Sequence, residues 1–293
     1  MKRARLRNRW LLECCLACLS VAAVGGPVDT NALRSATVDE LARQAQCYGS
    51  TEEKAQMKMA ARLELFRRGP DALRAMMPMS KFDNVVIRGF LQEMSDHLSD
   101  EQAAPVLLEF LDHPDPKVRK FAAYLLGWHP APGSADRLLP LLRDGEAAGA
   151  AIRTLGKWKV RSALPLLEPF LKHDKELWRI AAANALRDIG DPAAASYLIG
   201  ALDDALFTVR ETAARALVAL GPRAERDMIR ALPGAERVVR RSLIRALGAA
   251  GSRKAVSALR RLAQDPDPAV RADVREALEK ISGTGGQKTA GET

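Results

Sequence analysis

The stretch HPDPKVRKFAAYLL at residues 113–126 is written again, with few changes, as DPDPAVRADVREAL at residues 265–278. Both carry Asp-Pro at their third and fourth residues, place a Val-Arg pair two residues later and run on to a Leu. Taking the Val as position zero, Val118 and Val270 have counterparts at Met57, Ile87, Ala147, Trp178, Val209 and Val239, at successive gaps of 30, 31, 29, 31, 31, 30 and 31 residues. A fixed period between about 20 and 50 residues marks stacked structural repeats rather than one irregular core.

The columns of this register have helical spacing. Position 8 holds Leu65, Ser95, Leu126, Leu155, Leu186, Leu217, Leu247 and Leu278, and position 11 holds Trp158, Ile189, Leu220, Ala250 and Ile281. Positions 0, 4, 8 and 11 lie on one side of a helix with about 3.6 residues per turn. Gly69, Gly190, Gly221 and Gly251 share position 12, where a left-handed residue ends a helix. Position 20 is apolar again: Met77, Leu107, Leu138, Leu167, Leu198, Ile229 and Leu259. Each unit therefore reads as helix, glycine turn, helix. The predicted fold is all-α: an α-solenoid, or superhelix, of about eight helix-turn-helix repeats.

The opening phrase has a physical role in this frame. Asp115 and Asp267 are expected to cap the first helix, with Pro116 and Pro268 supplying its first turn. Position 1 is basic in Lys58, Arg88, Arg119, Arg179, Arg210, Arg240 and Arg271. With acidic residues of the preceding turns, such as Asp112, Asp204 and Asp265, these predict a ladder between neighbouring repeats. Thr37 to Glu40 and Ser50 to Glu53 match capping boxes, so a helix from about Val38 to Tyr48 is expected as a capping half-repeat, with Cys47 a buried core thiol.

These units resemble HEAT repeats, most closely the short bacterial variety found in phycobilisome lyases. LWRIAAANALRDIGDPAAASYLIGAL at 177–202 and TVRETAARALVALG at 208–221 carry the likeness, which spans roughly residues 50–282. The unit around Ile87 departs from the pattern. EAAGAAIRTLGKWK at 146–159 lacks the Arg and places Gly149 in its first helix, which predicts a local irregularity. The resemblance implies that second helices line a concave binding surface.

The ends read differently. Lys2, Arg3, Arg5, Arg7 and Arg9 precede an apolar run from Trp10 to about Val24, interrupted by Glu13, with Ala23 or Gly25 placed for cleavage. This is the layout of a secretory signal peptide; an uncleaved anchor, a non-exported tail and a lipoprotein on Cys18 are the other readings. The expected organisation is signal peptide at 1–25, linker at 26–36, repeats at 37–282 and a disordered tail at 283–293. Five basic residues and Glu13 leave with the leader, so the net charge falls from +9 to +5 and Cys47 is left as the lone thiol. No second stretch is long and apolar enough for a membrane span.

No catalytic constellation is visible. His113 and His173 fall in turns two repeats apart, too far for one metal, and read as surface turn residues; no HExxH, paired-cysteine or GxSxG motif occurs among the residues. Trp158 and Trp178 read as core, and Trp128 is ambiguous. No catalytic residue, metal ligand or cofactor is expected. Charge is the better lead: residues 221–262 hold eleven basic and three acidic residues, a local net of +8. Arg223 and Arg253 share position 14, and Arg230 and Arg260 share position 21, seven residues further along a helix and so on nearly the same face. Earlier repeats place Leu108, Leu139 and Ile199 at position 21. Arg223, Arg230, Arg253 and Arg260 are thus the candidate strip for an acidic partner: a protein first, an anionic surface or polyanion second, with nucleic acid disfavoured for an exported chain. The function expected is an exported, non-enzymatic scaffold or adaptor. The alternatives are a nucleic-acid binder of the HEAT-like glycosylase type, a bilin-lyase-type enzyme, and an accessory module of a membrane-bound complex.

Overall fold

A computed structural model describes residues 30–45, 52–82 and 84–283. The leader, Cys47, Ser50 and the tail after residue 283 lie outside the described residues. Within them every element is helical, with no strand. The chain forms two compact units divided between Ala131 and Pro132. The first contains α1 (Thr30–Ser35), α2 (Val38–Ala45), α3 (Glu52–Arg68), α4 (Pro70–Met76), α5 (Val85–His97), α6 (Asp100–Glu109) and α7 (Pro116–Leu126). The second contains α8 (Ala148–Lys157), α9 (Leu164–Leu167), α10 (Glu176–Ile189), α11 (Ala194–Gly200), α12 (Phe207–Leu220), α13 (Pro222–Ala231), α14 (Arg237–Ala249), α15 (Val256–Arg261) and α16 (Pro268–Gly283). The fold is an α-solenoid. In the second unit the first helices of successive repeats, α8, α10, α12, α14 and α16, each pack on the next.

The period predicts one run of repeats over 37–282, and the boundary between the two units falls inside the third repeat. After α7 the chain reads HPAPG at 129–133, putting Pro130 at position 12. Proline holds φ negative, so the left-handed turn is closed to this repeat. Its second segment forms only 3-10 turns, Pro132–Arg137 and Leu139–Arg143. Second segments elsewhere are also shorter than paired helices predict; α9 has 4 residues and passes into a 3-10 turn at Glu168–Lys172.

The spine follows the columns. Position 4, held by Ala61, Leu91, Ala122, Ala151, Ala182, Ala213, Leu243 and Val274, is 0% exposed in every repeat. Position 8 is equally buried from Leu65 to Leu247, and the Ser95 hydroxyl stays satisfied by donating to the Gln92 carbonyl at 2.9 Å. Several column residues are less buried than expected, Met57, Val239 and Leu278 among them, each half-buried. Ala250 is exposed, Ile229 is half-buried, and Trp178 is half-buried. The Trp178 indole lies over α8, where a Cβ on Gly149 would sit 2.9 Å from its Nε1, so the irregular glycine makes room for a ring from the next repeat. Trp158 is buried as expected, and Trp128 is exposed.

Glycines 69, 190, 221 and 251 all have positive φ, between 57° and 69°. The remaining positive-φ residue among those described is Lys159, at 56°, which occupies the same position 12 in the fourth repeat. Its turn is closed like that of Gly251: Val160 N–H reaches the Leu155 carbonyl at 3.0 Å, as Ser252 N–H reaches Leu247 at 3.1 Å. A side chain in this conformation costs roughly 1–2 kcal/mol. Lys159→Gly is expected to raise stability by about 1 kcal/mol despite its greater unfolded-state freedom, measurable in a urea melt.

The turn before each first helix is built from the opening phrase. Asp115 accepts from Lys117 N–H at 2.9 Å and Asp267 from Ala269 N–H at 2.8 Å, as caps. His113, His173, Asp204 and Asp265 share position −5, and each accepts a backbone N–H two residues on, at 2.9–3.0 Å. The imidazole Nδ1 does here what a carboxylate oxygen does elsewhere, which accounts for both histidines. Position 1 has a use its charge does not disclose. Arg119, Arg179, Arg210 and Arg271 each reach back to the carbonyls of positions −5 and −4, Arg179 to His173 at 2.8 Å and Asp174 at 3.2 Å. The ladder forms at Arg179–Asp204 (2.7 Å) and Arg240–Asp265 (2.9 Å), each arginine meeting the acid of the next turn.

At the N-terminal end, residues 30–35 form α1 where a linker is expected. Leu33 is buried, and Arg68 donates to the carbonyls of Leu33, Arg34 and Ala36 at 2.7–3.2 Å. The Thr37–Glu40 capping box is present, with Thr37 N–H to Glu40 at 2.7 Å and Glu40 N–H to Thr37 at 3.2 Å. Arg68 is held by the buried Glu64, which also accepts two bonds from Arg67. The Arg67 hydrogen bonds, aided by Arg68, lower the Glu64 pKa from 4.5 to about 2. A carboxylate whose pKa is lowered on folding stabilises above its unfolded value, and that stability is lost as pH falls through the folded value. Glu64→Gln is expected to flatten the acid loss of thermal stability between pH 4.5 and about 2.

Candidate functional site

Within the second unit a groove of about 710 Å³ opens along α13. Its apolar lining, or floor, is the exposed Pro192 and Pro222 and the half-buried Ile229. Its cations are Arg223, Arg226, Arg230 and Lys254, and its acids Glu225 and Asp227. Both acids are already engaged. Glu225 is buried, accepts from the Ser252 hydroxyl and pairs with Lys254 at 3.2 Å. Ser252 in turn caps the following turn by accepting from Ala255 N–H at 3.2 Å. Asp227 pairs with Arg230 at 3.3 Å. Among the described residues Arg223 donates to the Gly190 carbonyl, at 3.5 Å, and neither it nor the exposed Arg226 is in an ion pair. Two guanidiniums three residues apart on one helix face thus stand beside an apolar floor.

Of the expected strip, Arg223 and Arg230 line this groove, whereas Arg253 and Arg260 are exposed outside it. The cause is a one-residue change in turn length. In the sixth repeat Pro222 follows Gly221 directly and starts the second helix at once. In the fifth and seventh repeats α-helix begins later, at Ala194 and Val256. The buried alanines that open the second segments, Ala194, Ala224 and Ala255, fall at positions 16, 15 and 16. Met228 rather than Ile229 is accordingly the buried residue of α13. One residue is about 100° of helix, so Arg230 and Arg260 do not share a face although they share a count. By the same shift Lys254 is the structural partner of Arg223. Lys254 and Arg226 are missed when positions are counted from the first helix; counting from the buried alanine recovers Lys254. Leu108, Leu139 and Ile199, at position 21 of their own repeats, are half-buried.

No group of three or more His, Cys, Asp or Glu suited to a metal occurs among the described residues, and no helix there is long and apolar enough to cross a membrane.

Comparison with known proteins agrees with this architecture. A curated relative, the phycocyanobilin lyase subunit alpha of Thermosynechococcus vestitus, is 35% identical over 145 residues, 44% of this chain and 52% of the relative. The chain thus spans about half of that relative's length. Among solved structures, a Kap121p mutant matches with TM-score 0.58 at 14% identity, over 96% of this chain and 36% of the karyopherin. Kap121p bound to the extreme C-terminus of the protein phosphatase Cdc14p matches with TM-score 0.54 at 13% identity, over 84% and 33%. The family model for HEAT repeats matches residues 70–150, 144–218 and 226–290, well over half of the sequence. With the helix pairs, the buried columns and the left-handed turns in place, the chain belongs to the HEAT-repeat family.

Proposed function

We propose that the protein is a non-enzymatic scaffold that holds a protein partner on the second-helix surface of its C-terminal unit, and that it is exported after loss of residues 1–25. The observation that carries the first part is the groove on α13, where cations and an apolar floor face outward from a helix otherwise fixed by Ala224 and Met228. Stacked repeats present such surfaces because the buried columns leave the outward positions free to vary. The protein-bound karyopherin of the same fold is in keeping with it.

A photo-crosslinking residue at Ile229, compared with one at Arg215 on the exposed side of α12, tests this in the native host. A discrete protein adduct is expected from position 229 and none from position 215; no adduct at 229, or equal adducts, would end the reading. Export is tested by the mass of the native protein, which is expected to begin after Ala23 or Gly25 and not at Met1.

A second reading, a bilin-lyase-type activity, is favoured by the 35% identity to a lyase subunit. Mixing with phycocyanobilin is expected to leave the visible absorbance unchanged, and a shifted spectrum would put this reading first.

A further inference from the structure

We propose that the groove on α13 receives an acidic peptide segment of the partner, two of its carboxylates on Arg223 and Arg226 and an apolar side chain on Pro192, Pro222 and Ile229. This deepens the scaffold reading and rests on it.

Charge complementarity selects the occupant. Arg230 and Lys254 are matched to Asp227 and Glu225. Arg223 and Arg226 have no carboxylate at ion-pair distance among the described residues, so the site lacks two carboxylates of its own. Guanidiniums bind carboxylates in a bidentate fork, stronger than a neutral hydrogen bond. The floor adds an apolar contact that a bare anion would leave unused.

Nucleic acid fits less well. No aromatic side chain lines the groove to stack a base. A volume of about 710 Å³ accommodates a few side chains, as a peptide supplies.

The test is fluorescence anisotropy on the whole chain with three probes: a short labelled peptide of Glu pairs alternating with Leu, its Lys-for-Glu counterpart, and oligothymidylate. The acidic peptide is expected to bind, more weakly as salt rises from about 50 to 300 mM, the basic peptide not at all, and oligothymidylate more weakly than the acidic one. Arg223→Glu with Arg226→Glu is expected to weaken the acidic peptide about tenfold or more, whereas Arg253→Glu with Arg260→Glu, equal in charge, changes it less than about twofold. All four residues are exposed, so the melts should coincide; if the first variant melts early, Arg223→Gln with Arg226→Gln replaces it. Equal losses from both pairs would mean diffuse charge and no site, and tighter oligothymidylate binding would mean a polyanion groove. Either overturns the proposal. A crosslink at Ile229 that survives Arg223→Glu with Arg226→Glu overturns the acidic chemistry alone and leaves the scaffold standing; loss of that crosslink only in the groove variant supports both.

Discussion

Replacing Arg179 by alanine is expected to destabilise the C-terminal unit by about 3–5 kcal/mol, the loss seen when one member of a buried ion pair is removed. Its side chain is 13% exposed and that of Asp204 10%. Without the guanidinium, Asp204 keeps one backbone donor, Leu206 N–H at 2.9 Å, and an uncompensated buried charge. The carbonyls of His173 and Asp174 also lose their donor. The effect should spread, because a repeat depends on its neighbours for burial, and Arg179 joins the fifth repeat to the turn of the sixth. Chemical denaturation of Arg179→Ala, Asp204→Ala and the double variant measures it. The double variant should recover part of the loss, since no charge is left unpaired. A loss below about 1 kcal/mol for Arg179→Ala would mean that the pair behaves as a surface contact.

Gly156→Ala should lose about 1–3 kcal/mol, against the ordinary helix preference for alanine. A Cβ at this position would lie 2.6 Å from Ala185 Cα and 2.8 Å from Ala185 Cβ. Because the first contact is backbone, no side-chain rotation relieves it. The same approach recurs where a Cβ on Gly248 would meet Ala277 Cα at 2.7 Å, so adjacent first helices touch through glycine and alanine. Gly89, inside α5 with nothing within 4 Å of its missing Cβ, is the control. Gly89→Ala should gain about 0.5–1 kcal/mol. Opposite signs in thermal melts of the two variants are the expected result, and a gain at both sites would show that the first helices sit further apart.

Much of the repeat was legible in advance because its causes are local. A left-handed turn without strain asks for glycine, so Gly69, Gly190, Gly221 and Gly251 could be assigned by residue type alone. Asp-Pro at 115–116 and 267–268 names a helix start. The ladder acids Asp204 and Asp265 were legible from charge and position, but the reach of Arg119, Arg179, Arg210 and Arg271 to carbonyls was not, since a carbonyl has no letter in a sequence. The helix at Thr30–Ser35 falls where the sequence reads as a linker, because what holds it is Arg68, more than thirty residues away.

The candidate site marks where counting stops working. Period, helical spacing and charge point to a basic C-terminal region and to Arg223 and Arg230 on one helix, since these depend on type and spacing within that helix, and both line the groove. That Lys254 and Arg226 complete the groove, and that Arg253 and Arg260 stand apart from it, was decided by the tertiary structure. The physical reason is the single residue missing between Gly221 and the start of α13. It turns the second helix by about 100°, buries Met228 in place of Ile229, and so chooses which cations face one another.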